Sequence, residues 1–433
     1  MADLLGLSRA VLDAGKGADD VGPINRINHQ LSEIGNGIAV VEAFSHSIVF
    51  KTDDGLVAFD TSNPAGGSKV VAEMRRWSAD RFNTVVYTHG HIDHVGGCGA
   101  FVEDCRAHGH HELRVCGHEN VSKRFDRYNM TNGYNQLINE RQFGQFRKRG
   151  YGMYEDGAAS PRFLPESSPK PDLTYGDRLD LDIGGLRIEL HHAKGETDDH
   201  TWAWVPKHKA ICAGDFFIWN FPNAGNPQKV QRYPLEWAQA MRAMSAKGAE
   251  LFLPAHGLPI EGAARIRRVL GDVADALEKL VHETVAMMNE GARLNDIIHS
   301  VSISKEVLEK PYLKPTYDEP EFVVRNIWRL YGGWYDGNPA NLKPAKETAL
   351  AKEIATLAGG ANRLAERAQS LVDQDPRVAC HLAELAVLAD PDSRHAHAIR
   401  AEVFQARRNG ETSLMAKGIF GFAANESKAK AEG

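Results

Sequence analysis

Four potential metal ligands stand within six residues in the run Thr88-His89-Gly90-His91-Ile92-Asp93-His94. The run follows an apolar, strand-like stretch, FNTVVY. A turn at that point can fan the side chains so that His89 and His91 face one metal ion while Asp93 and His94 face a second. Imidazole and carboxylate donors suit zinc, with iron and manganese as alternatives. Read alone, the run could also be a solvated, histidine-rich turn. One strand end cannot close two sites, so further ligands must come from other strand ends. Three candidates stand where that requires them: Glu196 after LRIELHHA, Asp215 after KAIC and His256 after ELFL. His200, four residues beyond Glu196, competes with it for the same place. A centre of this kind activates water, so no serine or cysteine nucleophile is needed, and no G-x-S-x-G is present.

The elements that must position these residues can be read from periodicity. From about Ile38, the runs GIAVVEAF, HSIVFKT and GLVAFDTS read as successive strands separated by turn residues. A helix is expected over residues 68–77, then the strand that carries the histidine run. Residues 122–171 are rich in Asn, Gly, Arg and aromatics and read as an insertion or active-site lid, with Arg124, Arg127, Tyr134 and Arg141 placed to help choose a substrate. Strands resume with GLRIELHHA, TWAWVP, KAIC and ELFL, which gives a layered α/β pattern up to about Pro259. Beyond it, helical spacing takes over at residues 263–290, and further helices are expected at about 345–358, 361–373, 377–388 and 393–408. One tetratricopeptide-like unit is too few for a solenoid, so a packed helical domain or a dimerisation module is expected. The domains are therefore a lead-in at 1–35, a catalytic domain at 36–262, a helical domain at 263–425 and a disordered tail at 426–433.

Composition narrows the function. The chain has 433 residues, 42% of them hydrophobic and 25% charged, as expected of a globular protein with two or three domains. A net charge of -6 does not favour nucleic acid or an anionic membrane as partner. Five cysteines without a C-x-x-C pair argue for reduced thiols. The N-terminus lacks a secretory pattern, and no apolar run approaches the roughly 18 residues of a membrane span. A cytoplasmic location is the expectation.

The series THGHIDHVGG, GET, AGD and PAHG, in that order, resembles the metallo-β-lactamase superfamily. The resemblance implies an αββα sandwich that binds two divalent metal ions, zinc first and iron or manganese as alternatives. The first ion would take His89, His91 and Glu196, the second Asp93, His94 and His256, and Asp215 would bridge them. Glutamate at position 196, where most members have histidine, resembles the alkylsulfatase branch. The segment Tyr331-Gly332-Gly333-Trp334-Tyr335-Asp336-Gly337-Asn338-Pro339, the helices after it and SLMAKGIFGFAANE are similar to the alkylsulfatase dimerisation domain, which implies a homodimer. Two departures stand out. The bridging residue is Asp215 where alkylsulfatases have glutamate, and the stretch AGDFFIWNFPNAGNPQKVQRYP lacks the branch's sulfate-side pattern. The branch also carries a lipid-carrier-like domain that these residues do not include.

The expected activity is hydrolysis by a metal-bridging hydroxide, with Asp93 and Asp215 as catalytic residues and an alkyl sulfate or related small-molecule ester as substrate. The alternatives are a thioesterase, lactonase or carboxylic ester hydrolase on the same site, or a non-catalytic helical scaffold with a vestigial centre. Lys229 and Arg232 are candidates to meet an anionic group, with Tyr134 and Trp334 as further substrate contacts. His108, His110, His111 and His118 read as surface residues. His46 is left open.

Overall fold

The computed structural model describes residues 2–144 and 162–433. Part of the expected lid, residues 145–161, lies outside them. The first sheet takes strands β1 (Leu31–Gly35), β2 (Ile38–Val41), β3 (Ser47–Thr52), β4 (Gly55–Phe59), β5 (Phe82–Val86), β6 (Arg114–His118) and β7 (Leu173–Tyr175), in that spatial order. β1 to β4 pair antiparallel through short connections, whereas β4 to β7 pair parallel. A parallel pair needs a long crossover. The helices Gly67–Trp77 and Cys98–Ala107 supply those for β4–β5 and β5–β6.

The second sheet contains β8 (Arg178–Ile183), β9 (Leu186–His192), β10 (Thr201–Val205), β11 (Ala210–Gly214), β12 (Leu251–Pro254) and β13 (Ile260–Glu261), ordered β13-β12-β11-β10-β9-β8. Strand alternation decides which face meets what. Ile38, Val40, Ile48, Phe50, Val57 and Phe59 share one core with the second sheet, while Ala39, Val41, Val49 and Ala58 pack on the opposite face with the two crossover helices. Helices Pro234–Ala246 and Ala263–Asn289 add Trp237, Met241, Val269 and Leu270 to the first of these cores. The result is helix, sheet, sheet, helix, followed by a helical region, as expected. The sequence expectation differs at the start: residues 31–35 are the edge strand of the first sheet rather than lead-in.

The helices Glu347–Ala358, Ala361–Leu371, Pro376–Ala389 and Arg394–Gly410 build a core of their own from Ala355, Leu364, Ala368, Ala383, Ala386 and Ile399. The alanines allow close helix approach. The Ser393 side chain accepts from Ala396 N–H, an N-cap worth about 1 kcal/mol. The tail expected to be disordered is instead the end of a helix, Leu414–Glu432. It is held because Ser427 is buried against His397 (3.1 Å) and Arg400 (2.6 Å). The same helix crosses Asn132–Gln142 at Gly418, where any Cβ would overlap the Gln142 carbonyl. Helical and catalytic halves therefore touch directly. No helix among the described residues is long and apolar enough to cross a membrane.

Candidate metal centre

β5 ends at Val86, and the chain turns through Thr88 into a short helical turn, Ile92–Val95. Gly90, at the centre of the turn, has no room for a Cβ because Arg124 and Asp199 press on it. Asp199 Oδ2 accepts from Gly90 N–H (3.1 Å) and from Arg124 Nε (2.7 Å). Burial pushes the Asp199 carboxyl up, but Arg124 outweighs it and holds the group near 2. A buried ion pair thus pins the turn that carries His89 and His91.

The strand ends converge. The ligand atoms of His89, His91, Glu196 and Asp215 all lie within 4.8 Å of one another, as do those of Asp93, His94 and His256. Asp215, at the end of β11, spans the two groups. Its Oδ2 is 3.9 Å from His89 Nε2, and its Oδ1 is 3.3 Å from His94 Nε2 and 3.5 Å from His256 Nε2. Asp93 Oδ2 lies 3.6 Å from His94 Nε2 and 3.5 Å from His256 Nε2. His91 Nδ1 is 3.6 Å from Glu196 Oε1 and 2.8 Å from His89 Nε2. His200 is in neither group. Its Nε2 accepts from the Asp215 N–H (3.2 Å), its ring stacks on Phe216, and burial lowers it to about 3.

Three oppositely perturbed groups show how crowded the centre is. Burial pushes the Glu196 carboxyl well up against the pull of Arg232, and repulsion from Asp215 and Asp93 adds to the rise. Burial opposes ionisation of Asp215 as well, yet His94 and His256 hold it low. His94 is held well above the ordinary imidazole value by Asp215, Asp60 and Asp93, against its burial. Burial keeps His89 and His91 neutral, as ligands must be. Meanwhile His94 Nε2, Glu196 Oε2 and Asp215 Oδ1 are buried without a hydrogen-bond partner among the described residues. Each such orphan costs roughly 1–3 kcal/mol, a cost that cations between them would remove. The donor set fits two divalent ions.

Several supporting contacts were not found from sequence. Asp60, buried at the end of β4, accepts from His94 Nδ1 (2.7 Å), Thr88 Oγ1 (2.7 Å) and Thr88 N–H (2.8 Å). That fixes the His94 tautomer and presents Nε2 to the centre. Asn223 Nδ2 donates to Glu196 Oε1, and Arg232 donates to the Glu196 carbonyl (2.7 Å) and Oε1 (3.3 Å). Arg232 is itself held by Asn326, on helix Pro320–Gly332, through backbone N–H (3.2 Å) and C=O (2.9 Å). His46 is buried behind the site; its backbone N–H donates to Ala255 C=O (2.6 Å).

Above the centre opens a cavity of about 660 Å³, with Phe44, Ile92, Ile138, Phe163 and Ile218 among its walls. Lys229, Arg232 and Tyr134, named above as candidate substrate contacts, line it. Lys229 donates to Asn139 Oδ1 (3.2 Å), and burial followed by Arg232 lowers it to about 8. Tyr317, unexpected, also lines it, accepting from Gln142 Nε2 (2.9 Å) so that its own proton is free to be given. Trp334 does not line the cavity. The chain leaves helix Pro320–Gly332 through Gly333, at positive φ, and carries Trp334 outward to 71% exposure. His118 likewise departs from expectation: it is buried, stacked on His192 with ring centroids 3.8 Å apart.

The model of the metallo-beta-lactamase superfamily matches residues 40–256, and that of the alkyl sulfatase dimerisation region matches residues 293–430. A linear primary-alkylsulfatase from Pseudomonas sp. (strain ATCC 19151) is 26% identical over 384 residues, covering 84% of this chain and 70% of that protein. An (R)-specific secondary-alkylsulfatase from Pseudomonas sp. is 23% identical, covering 82% of this chain and 56% of that protein. The solved structure of the stereoselective inverting sec-alkylsulfatase Pisa1 from Pseudomonas sp. superposes with a TM-score of 0.79 at 22% identity, covering 93% of this chain and 66% of that one. The chain thus spans roughly half to two thirds of the length of most of these relatives.

Proposed function

The chain belongs to the metallo-beta-lactamase superfamily, and on that premise we propose that it is a metal-dependent hydrolase of sulfate esters of organic alcohols. The observation that carries the reading is the pair of ligand groups sharing Asp215 on the floor of the cavity, with buried donor atoms left unpartnered. The resemblance of both halves to alkylsulfatases favours sulfate over carboxylic or thioester substrates. His89, His91 and Glu196 would hold one ion, Asp93, His94 and His256 the other, with Asp215 between them; four imidazoles with carboxylates favour zinc. When bound, the two cations would supply an acidified water at neutral pH and positive charge for the ester oxygens.

The chain's own residues divide the remaining work. Asp93 can hold the nucleophile's proton, beside His256. Asp60 keeps His94 in the ligating tautomer, and Arg232 with Asn223 aims Glu196 so that Oε2 stays free. Lys229 would meet the anionic end of the ester, with Tyr317 O–H as a neutral donor. The apolar walls receive the organic group and exclude water from it.

The test is inorganic sulfate release from a medium-chain alkyl sulfate by the zinc-loaded protein, with Asp93→Ala as background. Release that the substitution abolishes supports the reading. Absence of release from protein holding about two ions per chain would overturn it. We further propose a homodimer through the helical region, where Leu342, Leu350, Leu357 and Trp334 are exposed. Light scattering should give twice the chain mass; a monomer would refute this.

A further inference from the structure

Five basic side chains line the cavity above the centre: Arg124, Arg127, Lys229, Arg232 and Arg329. The acidic lining residues among those described are Asp93, Glu196 and Asp215, all of which belong to the ligand groups. Two of the five cations already have a carboxyl partner within the protein: Arg124 has Asp199 (2.7 Å) and Asp198, and Arg232 has Glu196 (3.3 Å). The other three have no carboxylate partner among the described residues. Lys229 donates to Asn139, Arg329 donates to Gln231 Oε1 (2.9 Å) and Asn326 Oδ1 (3.2 Å), and Arg127 lies over the Tyr128 ring (5.6 Å).

A sulfate monoester brings a single negative charge, which one uncompensated cation and the loaded centre already answer. Arg127 and Arg329 remain. They come from two different elements, helices Asn120–Met130 and Pro320–Gly332, and among the described residues neither pairs with an acid that would explain its presence on the cavity wall. Like charges gathered around one concavity repel, and they focus potential on an incoming anion. Arginine's planar fork suits a carboxylate or sulfate oxygen pair. We propose that the alcohol portion of the substrate carries a second oxyanion, received by Arg127 and Arg329 while Lys229 meets the ester's own anionic end. This rests on the hydrolase reading and narrows it from plain alkyl sulfates to dianionic ones.

The test uses three esters of equal chain length: an alkyl monosulfate, its ω-carboxy counterpart and the α,ω-disulfate. The metal-loaded protein should show kcat/KM for both dianions about tenfold or more above the monosulfate. Arg127→Gln combined with Arg329→Gln should remove about tenfold from the dianions and leave the monosulfate within about twofold. A parallel calorimetric series uses the corresponding sulfonates, whose C–S bond is not an ester bond. It should give the same order of affinities and the same response to the double substitution. Melting and metal content of the variant, unchanged, establish that it is folded and loaded. Preference for the carboxylate over the disulfate, or the reverse, identifies which oxyanion is read. Equal sulfonate binding by monoanion and dianions, or equal loss for all in the double variant, would overturn the proposal. Sulfonate discrimination without turnover of any ester would leave it standing and count against the hydrolase reading alone.

Discussion

Replacing Asp60 by Asn should separate the two ions. Three donors converge on this buried carboxylate at 2.7–2.8 Å: His94 Nδ1, Thr88 Oγ1 and Thr88 N–H. An amide keeps one acceptor oxygen. If that oxygen stays on the Thr88 N–H, the new NH₂ group faces the His94 Nδ1–H. The imidazole relieves the clash by moving its proton to Nε2, the atom that points at Asp93 and Asp215. Loss of an outer partner of this kind costs about 10–100-fold in metal affinity, or ~1.4–2.7 kcal/mol. The loss should fall on the ion held by Asp93, His94 and His256 and leave the other within a few-fold. Backbone strain does not confuse the result: Asp60 sits at φ 59, a conformation that asparagine tolerates. The weakened charge-assisted contacts should also lower the stability of metal-free protein by about 1–3 kcal/mol. Competition with a chelator, read as two dissociation constants, together with melting of the metal-free variant, measures both. Two unchanged constants, or equal loss at both sites in a folded protein, would refute the reasoning.

Further outcomes follow from the same contacts. Lys229, lowered to about 8 by burial and Arg232, is charged below that pH and neutral above it. KM for an anionic ester should therefore rise as pH passes 8, and Lys229→Arg, which stays charged, should remove the rise; an unchanged profile would contradict the role. Gly225→Ala would drive a Cβ into the Phe322–Val323 backbone. It should cost about 1–3 kcal/mol in melting and raise KM several-fold, because the displaced loop carries Asn223 and Lys229. Stripping the ions should destabilise the chain by about 2.7 kcal/mol for each ion present at a hundredfold excess over its Kd, read as a fall in Tm that zinc restores.

Much of the centre was legible because its donors follow apolar strands. The histidine run, Glu196, Asp215 and His256 each close a run whose β pattern is plain in the sequence, and the strand order brings those ends together. Asp60 follows a strand just as Asp215 does, but as a lone aspartate in DTS it reads as a turn residue. Only the parallel β4–β5 pairing sets it against His94. Tyr317, in the connection just before helix Pro320–Gly332, reaches the cavity beside Gln142, 175 residues away in the chain, which no local pattern encodes. Trp334 was misplaced for the converse reason: an aromatic in a glycine-rich turn has the same pattern whether it folds in or out. The tail was misread because NESKAKAEG looks solvated throughout, whereas Ser427 ties that turn to His397 and Arg400, with Glu426 pairing to Arg400 (3.6 Å) beside it.

The central claim is that seven side chains hold two cations. Its most direct test is anomalous diffraction at the zinc edge from crystals of the zinc-loaded protein. Two peaks are expected, one among His89, His91 and Glu196 and one among Asp93, His94 and His256, with Asp215 touching both. A single peak, or density centred elsewhere, such as at the Asp104, Cys105 and His110 group, would contradict the account.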